Sequence, residues 1–314
     1  MGILDSNSSR VIYFNEEKHE YTNDDNQKYT SVTAYLGKFE PKFESLKVAQ
    51  ACAKIGQNPS HPKYSKYKGM TVQDILTKWD IDKENGCVTG NEKHGFIDNR
   101  IKASNNYRVH PSGGGRLFTI LDIKLNPTVG ILNLDYFVKT GLYARFPRIY
   151  NVIKYFVEQG YSIYSEIGVF NDDYTISGLI DLLLVKGNSF IILDWKTNKD
   201  GIPDIPGYFQ VLDGVKSFVR TNASFNTPIN TMPYSIKSKY TLQVSMYARL
   251  VEYFDYVCGG LILCHIGKDL YTHTDPEVSE HPDLLGKEKT NLIGLSYMKT
   301  EIDLLLSYRV VTLN

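Results

Sequence analysis

The chain has 314 residues, 42% of them apolar, enough to bury a full hydrophobic core. Its 35 basic and 35 acidic side chains cancel, so affinity for a polyanion would have to come from a local basic surface, not from net charge. No run is long and apolar enough to span a membrane, no leader peptide is expected, and Cys52, Cys87, Cys258 and Cys264 have neither zinc spacing nor a disulfide pattern. A reducing, cytoplasmic setting is the expectation.

Residues 10–30 read as a short hairpin turning at "NDDNQK" (23–28), and residues 31–56 and 71–105 as largely helical. Between these helical stretches, "HPKYSKYKG" (61–69) interleaves Lys63, Lys66 and Lys68 with tyrosines. Such a segment can hold phosphates and stack bases, or it can be a solvated loop. "GNEKHGFIDNRI" (90–101) places His94 and Asp98 four apart, hence on one helix face. "HPSGGGR" (110–116) is a flexible loop that lacks the strand-to-helix context of a phosphate cradle. Residues 131–159 form helices leading into "YSIYSEIGVF" (161–170), an alternating strand that carries Glu166.

The most informative stretch is "GLIDLLLVKGNSFIILDWKTNK" (178–199), two apolar runs around Gly187-Asn188, a favoured two-residue hairpin centre. With Lys186 facing Ser189, pairing outward sets Asp181 directly across from Asp194 on one face. Two carboxylates among leucines and isoleucines repel and are poorly solvated, and a hard divalent cation is the most economical compensation. Lys196 follows Asp194 by two, so alternation puts its ammonium on the same face. The turn signal "NDDY" (171–174), if its loop is centred on Asp172-Asp173, sets Glu166 opposite Leu179 and diagonal to Asp181.

Downstream, residues 200–239, rich in Pro, Gly and Asn, form an unusually long connection that is either partly disordered or functional. "YTLQVSMYARLVEYF" (240–254) is an amphipathic helix with Gln243 and Tyr247 on one face, packing through Leu242, Met246 and Leu250. "GGLILCHI" (259–266) is a buried strand returning parallel to the sheet. Residues 267–290 read as irregular and "NLIGLSYMKTEIDLLLSYRV" (291–310) as a closing helix.

"GLID…LDWKT" with its upstream glutamate resembles the core motif of the PD-(D/E)XK nuclease superfamily, RecB-like branch. Residues 90–100 resemble that branch's His motif and 243–247 its Gln-x-x-x-Tyr motif. "YTSVTAYLGKF" is similar to an N-terminal segment of phage and mitochondrial members. The resemblance implies an α/β fold: a restriction-endonuclease-like core with a central mixed sheet flanked by helices, and an N-terminal helical elaboration. Residues 1–160 would hold the hairpin and the helices with the His motif, and 161–314 the nuclease core with the 200–239 insertion.

By the same resemblance, Asp181, Asp194, Glu166 and His94 would bind magnesium or manganese, and Lys196 would assist the attacking water. Gln243 and Tyr247 would contact substrate; Lys63, Lys66 and Lys68 are added as substrate contacts on their own charge and tyrosine pattern. Asp98 stands where the family usually has Glu. The cysteines do not match the pattern by which some relatives hold an iron–sulfur cluster, so no cluster is expected. The implied activity is hydrolysis of DNA phosphodiesters, preferentially by an exonuclease, in recombination, repair or replication processing. The implied partners are a DNA single strand or duplex end, and a phage or replication protein. The alternative is a viral structural or packaging-associated protein that uses a nuclease fold to bind nucleic acid.

Overall fold

The structure, a computed structural model, describes residues 11–105, 115–212 and 214–313, so most of the glycine loop at 110–116 lies outside the described residues. Strands β1 (Ile12–Asn15), β2 (Glu20–Asn23) and β3 (Lys28–Ser31) form an antiparallel meander where one hairpin was expected. The β2–β3 turn falls inside the predicted "NDDNQK" signal: Asn23 Oδ1 accepts the N–H groups of Asp25 and Gln27, and Asn26 is left-handed. The additional strand arises from a second turn at Glu16–His19, which folds Ile12 onto the Tyr21 side of the sheet.

Ser31 caps α1 (Val32–Gly37), accepting the N–H of Ala34, and α2 (Ser45–Ile55) and the single turn α3 (Tyr64–Tyr67) follow. Helix α4 (Val72–Ser104) has 33 residues, so it is about 50 Å long. It starts at a reciprocal Thr71–Asp74 capping box. Its two ends serve different cores: Ile75 packs with Ala49, Cys52 and Tyr67, whereas Ile97 and Ile101 are buried against the main sheet. Short helices α5 (Ile120–Leu125), α6 (Leu134–Phe137) and α7 (Leu142–Arg145) and the longer α8 (Pro147–Glu158) carry the chain to the central strands.

Those strands are β4 (Ser162–Asn171), β5 (Ile176–Lys186) and β6 (Ser189–Lys196), an antiparallel meander. The β5–β6 register is the one read from the sequence: Gly187 is left-handed (φ +60°), Lys186 faces Ser189, and the ladder runs to Leu182–Leu193, one rung short of the expected Asp181–Asp194 pair. The 200–239 connection is more ordered than expected. Its residues form a two-stranded sheet, β7 (Gly207–Leu212) and β8 (Val215–Arg220), and then bury Phe225 and Ile229 in the core. Helix α9 (Ile236–Glu252) returns the chain to β9 (Val257–Leu270), which lies parallel to β6, as expected for that strand.

The C-terminal reading needs correction. β9 continues to Leu270, α10 (Pro276–Glu280) follows, and 288–295 is not helix but strand β10 (Glu288–Leu295), antiparallel to β9. Its apolar content resembles a helix face, but the unpaired edge of β9 supplies a ladder, and tertiary pairing overrides the local pattern. The closing helix α11 (Lys299–Leu313) begins after it.

The result is a mixed α/β fold with a central mixed sheet, ordered β1-β2-β3-β5-β6-β9-β10, with β4 along the other edge of β5. One face packs on α1, α9 and α11 through Val32, Leu242, Leu250 and Leu305; the other packs on α4 and α8 through Ile97, Ile101, Ile149 and Ile153. Leu242, Met246 and Leu250 are all buried, as the helix pattern predicted. No helix among the described residues is long and apolar enough to cross a membrane.

Candidate active site

The site forms where the β4–β5 ladder is interrupted. Ser165 pairs with Leu182 and Ile167 with Ile180, and the rung between them, Glu166 and Asp181, is not a regular pair. Glu166 has a left-handed backbone, φ +57°, uncommon for a residue with a long side chain. The faces exchange at this rung. Ile163, Leu182 and Leu184 lie in the α4–α8 core, whereas Ile167, Val169 and Ile180 lie in the α9 core. Residues two apart in a regular strand share a face, so each strand spends one residue on the switch. Those two residues carry the carboxylates.

Glu166 therefore occupies the rung of Asp181, not the position opposite Leu179 that the sequence suggested. The loop is Asp172–Thr175, closed by the pair Asn171–Ile176, so its centre lies one residue further along than assumed.

The other edge of β5 is shared. β6 covers Leu182–Lys186, and β3 runs parallel to Ile176 and Ser177. Gly178–Asp181 lie in the gap between those two partners. There Asp181 Oδ2 accepts the N–H of Trp195 at 2.8 Å, extending the β5–β6 contact by a side chain. Asp194 and Lys196 form an ion pair, and both side chains are largely buried. The Lys196 ammonium also lies 4.8 Å from the Tyr240 ring centre on α9. His94 reaches in from α4, its Nδ1 3.6 Å from Asp181 Oδ1. Asp98, four residues on, accepts a hydrogen bond from Ser165 at 2.7 Å and pairs with Lys102 at 2.9 Å, so its partners orient it within the wall.

These environments push the carboxylates apart in acidity. Burial, reinforced by the charges of Asp181 and Asp98, raises Glu166 to about 8. Burial also raises Asp194, to about 6, against the pull of Lys196. Burial opposes ionisation of Asp181 too, but the interactions with His94 and Lys196 and the Trp195 N–H together hold it below the ordinary range. Burial disfavours charge on His94 and Lys196, yet the neighbouring aspartates win and both are raised. Asp181 is the firm anion of the cluster.

A cleft of about 540 Å³ opens onto His94, Glu166 and Asp181 of this cluster, bounded by α4, the Glu166–Asp181 rung, α9 and the β1–β2 hairpin, whereas Asp194 and Lys196 are not part of its lining. Gln243 and Tyr247 line it, as expected, and Gln243 Nε2 donates to Tyr247 Oη at 3.0 Å. Gly178 is required by this packing, since a Cβ there would lie 2.5 Å from the Tyr247 ring. Gly90, on α4, leaves only 3.2 Å between a would-be Cβ and Thr197 Oγ1, which lets the helix approach the Lys196 strand.

Lys63, Lys66 and Lys68 are not in the cleft lining. Lys63 lies over Tyr208 of β7, Lys66 over Tyr67 and Lys68 over Tyr64, on the α3 side of the molecule. Sequence reading missed Lys102, His19 and Tyr21, which line the cleft. Lys102 extends the four-residue spacing of His94 and Asp98 and was legible in principle. His19 and Tyr21 come from a hairpin far away in sequence, and no local pattern announces their position.

No protein-family model matches the chain, and no curated protein matches it either. The donor set suits a hard divalent cation: carboxylate oxygens, one imidazole, and a buried Asp194 Oδ2 that meets Lys196 but accepts no well-formed hydrogen bond. Among the described residues no three His, Cys, Asp or Glu side chains already stand in a ligating arrangement. Binding would draw on Asp181 and Asp194, with Glu166 or His94 completing the set.

Proposed function

We propose that this chain is a metal-dependent nuclease of the RecB-like PD-(D/E)XK type that hydrolyses DNA phosphodiesters, acting preferentially as an exonuclease. The observation that carries the reading is the meeting of Asp181, which lines the cleft and shares its rung with Glu166, with the buried Asp194–Lys196 ion pair on the neighbouring strand. Burial, reinforced by repulsion from Asp181, makes Glu166 and Asp194 weaker acids, which supports magnesium or manganese as the counter-charge such a site would take. Asp181, Asp194, Glu166 and His94 would hold it. When bound, the ion would supply Lewis-acid stabilisation of the phosphoryl oxygens and lower the pKa of a water.

The chain's own groups account for the rest. Lys196 remains a cation, is aimed by Asp194 and Tyr240, and is suited to orient the water whose oxygen bonds to phosphorus as the P–O bond to the leaving alcohol breaks. Lys102 neutralises Asp98 along the path of the bound strand, and Gln243 and Tyr247 also line the cleft. End-labelled single-stranded and duplex DNA, incubated with magnesium or manganese and then with chelator, tests the proposal. Metal-dependent release of short end products is the expected result, and no cleavage of any DNA in either metal would refute it.

A further inference from the structure

The walls of the cleft differ in chemistry. The α4 wall offers Asn91, His94 and the ion-paired Asp98 and Lys102, whereas the β1–β2 wall offers Phe14, His19, Tyr21 and one acid, Glu16. A phosphodiester would be repelled by Glu16, whereas on the α4 wall Lys102 already neutralises Asp98 and the Asn91 amide can donate, so the charged backbone of a bound strand belongs on the α4 side. That leaves the aromatic wall facing the bases.

We propose that Phe14 and His19 form a stacking platform for one unpaired nucleobase beside the Glu166–Asp181 rung, so that the substrate enters as a single strand. The inference rests on the nuclease reading and specifies the form of its substrate. Tyr21 and Phe14 pack as a tilted pair, ring centres 4.6 Å apart at 32°, which makes a firm base because Tyr21 is buried. His19 meets the Phe14 ring edge-on at 5.2 Å and 82°, and it remains exposed. An exposed imidazole adds little to the small core of Ile12, Tyr21, Tyr29 and Phe170 beneath it.

The backbone also holds the position from which this ring projects. His19 is left-handed, φ +53°, a conformation that costs a non-glycine residue energy, and the N–H of Lys18 is tied to Asn15 Oδ1 at 2.9 Å. A held ring at a cleft mouth is what stacking on a base requires, since little conformational freedom is then lost on binding. The cleft volume, about 540 Å³, is in the range of about 300–1,000 Å³ typical of pockets that enclose one compact ligand. It is large enough for one nucleotide unit.

The test uses the full chain, a short single-stranded oligonucleotide with 2-aminopurine at its end, and calcium to favour binding over cleavage. Expected are quenching of the probe on binding by wild type, loss of quenching and about tenfold weaker binding for His19→Ala, and recovery of both in His19→Tyr. An abasic end should cost wild type the same factor and cost His19→Ala nothing. Equal binding and quenching by wild type and His19→Ala, or an abasic end without penalty, overturns the platform. If wild type still cleaves DNA with manganese in that case, the nuclease reading survives; if it neither binds nor cleaves, both fall.

Discussion

Glu166 and Asp181 share the one rung at which β4 and β5 exchange the faces of the sheet. The fold thus places two like charges at the point where the ladder is weakest, and burial makes their repulsion costly. Regular strands on both sides hold them there. A site strained in this way should bind a counter-ion strongly.

Asp181→Asn or Asp194→Asn should reduce cleavage by at least ~10²-fold, because each removes an anion that would neutralise the ion stabilising the developing charge. Both variants should fold. Titration calorimetry with manganese should show weakened binding in each, and full activity in either variant would sink the site assignment.

The free carboxylates predict a pH dependence of stability. Glu166 is raised from 4.5 to about 8 in the fold, so the native state holds a proton that the unfolded chain releases. Below the unfolded value both states are protonated and there is no penalty. As pH rises from about 4.5 through about 8 the metal-free protein should lose stability, and Glu166→Gln should remove that loss, a gain on the order of 1–3 kcal/mol at pH 8. Asp194 adds a parallel loss as pH rises from 3.8 to about 6. Chelated samples followed by thermal melting across pH 4–9 would check this, and manganese should flatten the wild-type curve.

How much of this was readable beforehand depended on the range of each interaction. The β5–β6 register followed from Gly187-Asn188 because a two-residue turn fixes pairing locally, and the Gln243–Tyr247 face followed from helical spacing. The Glu166 rung was misplaced because the β4–β5 loop is centred one residue beyond Asp172-Asp173, and neither that shift nor a left-handed Glu166 leaves a signature in composition. Lys63, Lys66 and Lys68 were grouped by charge pattern, but α3 lies with β7, and pattern alone carries no distance to the cleft. The aromatic wall from β1–β2 reaches Glu166 only through tertiary packing.

His94 is distinguished from other histidines by its position against Asp181. His94→Ala should weaken manganese binding by roughly 10–100-fold, whereas exposed His273→Ala should leave it unchanged. Equal affinities in the two variants, measured by calorimetry, would return His94 to a structural role on α4.

The 200–239 connection divides into two parts. Phe225 and Ile229 are buried, and Asn226 bonds to the backbone of Phe39 and Glu40, so 223–239 should exchange its amides slowly even without DNA. The β7–β8 hairpin mainly pairs with itself, and Thr221 N–H bonds Pro206 O at 3.0 Å across its base. Replacing 207–220 by a short Gly-Ser link should therefore cost less than ~1 kcal/mol. Urea unfolding measures that cost; a loss several times larger would mean the hairpin supports the core.

The strictest geometric claim concerns Gly178 and Tyr247. A methyl group at residue 178 would come within 2.5 Å of the Tyr247 ring and 3.1 Å of Val32 Cγ2, and Tyr247 is held by the buried face of α9. Overpacking of this kind costs about 1–3 kcal/mol unless the ring moves. Gly178→Ala should accordingly lower stability by that amount or displace Tyr247 from the cleft, reducing cleavage with little change in metal binding. Removing the ring tests the cause, because Tyr247→Ala opens the space that the new methyl would fill. In the double variant the alanine at 178 should then cost much less than it does alone, a non-additive coupling of roughly 1 kcal/mol or more between residues in contact. Additive losses in urea unfolding would show that the two side chains do not meet, and that the β5 edge and α9 are further apart than this packing requires.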